Sequence, residues 1–95
     1  MTATKTNQVL DFLYKNEGKL TTIEFETRFN FFMVNLNALH IQKETDKTVI
    51  ISDKKDDPNL ARAEFLVTAI EFLEVNDIEL ALKYQDGSKV LISVY

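Results

Sequence analysis

The 95-residue chain carries one histidine, no cysteine and two glycines, which leaves few routes to catalysis. His40 stands between Leu39 and Ile41 in a strand-like stretch, with no serine and acid at the spacing of a nucleophile–base–acid set. A general base needs an orienting partner and a nucleophile within reach, and the sequence offers His40 neither. Ser52, Ser88 and Ser93 fall at strand ends or in a turn, and none sits in a Gly-x-Ser-x-Gly elbow. Without cysteine there is no thiol nucleophile, disulfide or thiolate zinc site. Gly18 and Gly87 are too far apart to build a phosphate-cradling loop. These residues predict a protein that is not an enzyme and holds no metal or cofactor.

Acidic side chains gather in two places. Asp53, Asp56 and Asp57 surround a pair of lysines, but a calcium loop needs alternating oxygen ligands, a central glycine and a closing glutamate. A solvated loop ending in a helix cap accounts for them. Glu71, Glu74, Asp77 and Glu79 form the second group, read either as a solvated edge or as a contact patch for a basic partner.

Fifteen acids against eleven bases give a net charge of −4, which disfavours DNA, since phosphate neutralisation supplies most of that affinity. A local basic face is still conceivable from Arg28, Lys83 and Lys89. Alternation places them with Glu24, Glu26 and Glu79 on the open side of a sheet.

The composition, 45% apolar and 27% charged, is that of a folded domain and not of a disordered tail. No run of about 18 apolar residues exists to form a membrane-spanning helix. The first residues lack the basic start and apolar stretch of a secretory signal, so a cytoplasmic location is expected. No repeat or linker divides the chain, and residues 1–95 read as a single domain.

The elements that would position these residues follow from periodicity. Val9, Leu10, Leu13 and Tyr14 share one side of a helix from Thr4 to about Asn16, with threonine N-caps before it and Gly18 after it. Ile23, Phe25 and Phe29 alternate with polar residues, predicting a strand over 22–29. A long second strand, 31–43, changes parity once and so needs a bulge or bend near Asn37 to Leu39; a helix over 31–39 is the alternative. Residues 48–52 form a third strand. Asp57-Pro58 then reads as an N-cap with proline at the first helical position, opening a core helix to about Val75. In that helix Leu60, Ala63, Leu66, Ala69, Ile70 and Leu73 face the core, with Phe65 and Phe72 widening the apolar side. A hairpin closes the chain, Ile78, Leu80, Leu82 and Tyr84 matching Val90, Ile92 and Val94 across the Asp86-Gly87 turn. The expected fold is therefore α+β: a two-layer helix-βββ-helix-ββ domain, both helices on one face of an antiparallel sheet.

More apolar residues remain than that core can take. Phe31, Phe32, Met33 and Val34 are consecutive, and a strand cannot turn all of them inward. Ile50, Leu91 and Tyr95 fall on outward positions. Phe31, Phe32, Met33, Ile50, Leu91 and Tyr95 together predict an interface, for a protein partner and for a homodimer.

Two resemblances follow from the residues. The stretches Lys15-Asn16-Glu17-Gly18, Thr22-Ile23-Glu24-Phe25 through Phe31-Phe32, and Tyr84 to Ile92 resemble corresponding parts of the MotA-type C-terminal double-wing domains of phage middle-promoter activators. That resemblance implies a sheet surface used on DNA. The element order, acidity and size are also similar to class I type III secretion chaperones, which implies a dimer that binds effector segments. The sequence as a whole predicts a small acidic recognition domain that binds another protein, with a sheet-surface DNA-binding regulator as the alternative.

Overall fold

The computed structural model describes residues 4–53 and 61–95. In chain order these form α1 (Lys5–Lys15), β1 (Thr21–Glu26), β2 (Phe31–Leu36), β3 (Leu39–Glu44), β4 (Thr48–Asp53), β5 (Arg62–Leu66), β6 (Ile70–Val75), β7 (Glu79–Tyr84) and β8 (Lys89–Val94). The strands make two antiparallel sheets, a five-stranded one in the order β2-β1-β8-β7-β6 and a three-stranded one in the order β3-β4-β5. This corrects the two-layer helix-βββ-helix-ββ expectation. Among the described residues α1 is the sole helix, and the domain is mostly β. No described helix is long and apolar enough to cross a membrane.

Core residues come from both sheets and from α1. Ile23, Leu80, Leu82, Val90 and Ile92 of the large sheet and Leu39, Val49, Ile51, Ala63 and Phe65 of the small one are buried in one cluster with Val9, Phe12 and Leu13. The helix reaches both sheets. Lys5 Nζ donates to the carbonyls of Ile70 and Glu71 at 3.1 Å each, and Thr6 Oγ1 donates to Val67 O at 2.8 Å. Beyond its C-terminal end, the Gly18 N–H donates to Leu39 O and the Leu39 N–H to Lys19 O. The helix starts at Thr4, whose hydroxyl accepts from the Asn7 N–H, and is left through Gly18 at a φ of +88°.

The segment predicted as the main core helix is the largest correction. Its described part forms β5 and β6 instead, while Asp57, Pro58 and Leu60 lie outside the described residues. Ala63, Phe65 and Val67 are buried and alternate with exposed Arg62, Glu64 and Leu66, so the operative period is two. Ala69, at a φ of +58°, turns the chain between the strands. In β6 the pairing with β7 slips between Ile70 and Phe72, leaving Glu71 as an extra residue. Ile70 and Leu73 thus both face inward although three apart, which imitates helical spacing. Phe72 and Leu66, expected in the core, are exposed.

Two smaller corrections concern the second predicted strand and the first. The stretch 31–43 is two strands in different sheets, with the predicted bend at Asn37-Ala38. Asp53 Oδ1 accepts the backbone N–H groups of both corner residues, Ala38 at 3.2 Å. Phe29 is not a core residue. It sits in the β1–β2 turn and is 84% exposed.

Four hairpin turns, β1–β2, β3–β4, β6–β7 and β7–β8, are each closed by a short polar side chain that folds back on the backbone. Thr27 Oγ1 accepts from Asn30 N, Thr45 Oγ1 from Thr48 N, Asn76 Oδ1 from Glu79 N, and Asp86 Oδ1 from Ser88 N. Three of these turns belong to the large sheet and one, β3–β4, to the small one.

Candidate functional site: the outer face of the five-stranded sheet

Opposite residues in an antiparallel ladder point to the same side, so the registers order the outer face into rows. The first row runs Phe31, Glu26, Lys89, Lys83, Phe72 across β2, β1, β8, β7 and β6. The second runs Met33, Glu24, Leu91, Ala81, Glu74, and the third Asn35, Thr22, Ser93, Glu79. Phe31 and Phe72, at the two ends of the first row, are 62% and 54% exposed. Between them lies a hollow of about 320 Å³, walled by Phe31, Phe72, Lys83, Lys89, Glu26 and Leu91. A second hollow of about 510 Å³, lined by Glu74, Glu79, Ala81 and Leu91, continues it toward the β6–β7 turn.

The lysine pair is the electrostatic feature of this face. Tyr84 N donates to Ser88 O at 2.9 Å, which sets the phase of the ladder so that the next pair, Lys83 and Lys89, is a non-hydrogen-bonded one. Side chains in such a pair come closest, with Cα atoms roughly 4.5 Å apart. Like charges placed there repel. Glu26 is opposite Lys89 on its other side and partly offsets the repulsion. Among the described residues neither lysine is engaged in an ion pair.

The structure divides the predicted interface. Phe31, Met33 and Leu91 share the outer face. Phe32 points to the other side, its ring stacked on Phe25 at 4.9 Å, beside a hollow of about 400 Å³ also lined by Phe65, Leu66 and Tyr84. Burial pushes the Tyr84 hydroxyl well above its ordinary range, and that hydroxyl donates to Leu66 O. Ile50 is half-buried on the small sheet, opposite Lys43 and Glu64. Tyr95 lies exposed past the end of β8, its N–H bonded to Leu20 O.

The acidic group is likewise split, and it lies on β6, the β6–β7 turn and the start of β7 instead of a helix end. Glu74 and Glu79 line the second hollow. Asp77 pairs with Lys15 at 3.1 Å, and Glu71 occupies the bulge. Of the predicted basic set, Lys83 and Lys89 are neighbours. Arg28 is in the β1–β2 turn with its guanidinium 5.9 Å from the Phe29 ring centre, near Lys89 on the rim. Phe72 and Glu74 were not expected on this face. Their alternation with Leu73 was the available signal, masked by the bulge.

The fold brings His40 closer to catalytic company than its spacing suggested. Ser52 is opposite it in the β3–β4 ladder, and Glu17 Oε2 is 3.5 Å from its Nδ1. Ser52 is buried, however, and among the described residues no hydrogen bond joins it to His40, the contact that activates a hydroxyl nucleophile. Of the described loop acids, Asp53 serves the strand corner; Asp56 and Asp57 lie outside the described residues. Among the described residues no three His, Asp or Glu side chains converge as a metal site would require. No family profile, curated protein or solved structure matches the chain.

Proposed function

We propose that this domain works by binding another protein, with the outer face of the five-stranded sheet as its recognition surface. The observation that carries this reading is the first row: two lysines directly opposed and neither in an ion pair among the described residues, Glu26 beside Lys89, and an exposed phenylalanine at each end. A like-charge pair costs stability in the free domain, and a ligand carboxylate set between the ammonium groups relieves it. The flanking rings and Leu91 offer apolar contact on both sides. The ligand that suits this row is a peptide segment with one acidic side chain bracketed by apolar ones. Glu24, Glu74 and Glu79 farther down the face favour a basic residue at the segment's other end. The test is titration of acidic-apolar peptides against the domain and against Lys83→Glu, with weaker binding expected to the variant.

Single-stranded nucleic acid is the second reading, since exposed aromatics beside lysines can stack bases and hold phosphates. The glutamates on the same face weigh against it. Tight oligonucleotide binding that falls with salt, with no peptide binding, would reverse the order of the two.

A further inference from the structure

We propose that two copies of this chain join through the free edge of β2, making one continuous sheet across a two-fold axis at Met33. This rests on the backbone of β2 and not on the reading of the outer face. Thr27 N donates to Asn30 O at 2.8 Å, so Thr27 and Asn30 form a bonded pair. Bonding then alternates up the ladder: Phe32, Val34 and Leu36 bond to β1, while Phe31, Met33 and Asn35 direct their N–H and C=O groups away from it. The β1–β8 ladder agrees with this phase. Tyr95 N bonds to Leu20 O there, which assigns the other β1 residues, Thr22, Glu24 and Glu26, to β8. Among the described residues no backbone hydrogen bond reaches the outer edge of β2.

Sheet edges are normally blunted by charge, proline or a bulge. The strand Phe31–Leu36 reads FFMVNL and has none of these, and it pairs with β1 without a slip. A second copy is the occupant that fits. Turned about an axis at Met33, the edge meets itself with donors facing acceptors: Met33 opposite Met33, and Phe31 opposite Asn35, in bonded pairs. Phe32 then faces Val34 of the other copy on the inner side, covering a ring now half exposed. No like charges meet in this register, because the strand carries no charge. It also carries the Arg28 turn of one copy toward the Asn37-Ala38 corner of the other, where Asp53 supplies a carboxylate. The second row of the outer face becomes continuous through the two Met33 side chains.

Cysteine scanning tests this directly, because the chain has no cysteine of its own. In a bonded antiparallel pair Cα atoms are about 5.5 Å apart, within disulfide reach, whereas Phe31 lies about 13 Å from its own copy. Met33→Cys under mild oxidation is expected to yield at least about tenfold more disulfide dimer than Phe31→Cys or Asn35→Cys alone. Mixing the last two should restore the cross-link. Sedimentation of the unmodified chain should show a species of twice 11.0 kDa that Met33→Lys reduces to a monomer with an unchanged circular dichroism spectrum. A chain that stays monomeric at millimolar concentration, or cross-links spread evenly over the three positions, overturns the proposal. A dimer that survives Met33→Lys overturns it too.

Discussion

Lys83 and Lys89 stand opposite one another on adjacent strands, in the pair position where side chains approach most closely. The tight Asp86-Gly87 turn sets that register, Gly87 supplying a φ of +91° and Asp86 accepting from the backbone and hydroxyl of Ser88. Those bonds hold the Asp86 carboxyl below the usual carboxylate range. The repulsion is thus built into the hairpin, and on the proposed function recognition and stability pull against each other at this point.

Lys83→Glu should therefore stabilise the free domain by about 0.2–1 kcal/mol, since an opposite-charge pair replaces a like-charge one. The gain should shrink as salt is added. Urea denaturation at low and high ionic strength measures both, and the same variant should lose affinity for acidic peptides.

Asp53 links the ends of two sheets. Its carboxylate accepts the Asn37 and Ala38 N–H groups at the point where the chain leaves one sheet for the other. Asp53→Ala should cost about 0.5–1.5 kcal/mol by removing this acceptor from partly exposed donors that water then solvates, read as a lower denaturation midpoint at an unchanged slope.

Ala69 holds a left-handed conformation that an L side chain adopts at a cost. Ala69→Gly removes the strain but adds freedom to the unfolded chain, so a net gain of about 0.5–1 kcal/mol is expected. Ala69→Val should move the thermal midpoint the opposite way.

Tyr84 makes stability sensitive to alkali. Burial raises its folded-state pKa above the ordinary tyrosine value of about 10, so above that pH the unfolded chain releases a proton the folded one keeps. Stability from this group is fully present below pH ~10 and falls as pH rises beyond it. Tyr84→Phe should flatten that limb in denaturation curves taken across the alkaline range. At neutral pH it should cost about 1 kcal/mol for the lost bond to Leu66 O.

Much of this architecture is local enough to be read from residues. The β7–β8 hairpin shows itself in Leu80, Leu82 and Tyr84 against Val90 and Ile92, all buried as alternation requires. The same alternation placed Glu24, Glu26, Lys83, Lys89 and Leu91 on the open side. The stretch 61–75 imitates a helix because a single extra residue, Glu71, converts period two into apparent helical spacing at Ile70 and Leu73. The partition of 31–43 between two sheets depends on Asp53, ten or more positions away, which no local pattern reports. Phe72 and Glu74 were lost to the face for the first of these reasons.

On the proposed function, the outer sheet face binds protein through the row from Phe31 to Phe72. The most direct test is panning a random peptide library on the unmodified domain, then measuring the selected peptides by calorimetry against Lys83→Glu/Lys89→Glu. The expected outcome is peptides with an acidic residue between apolar ones, and at least about tenfold weaker binding to the double variant. Selected peptides that lack acids, or that bind the double variant equally well, would contradict it.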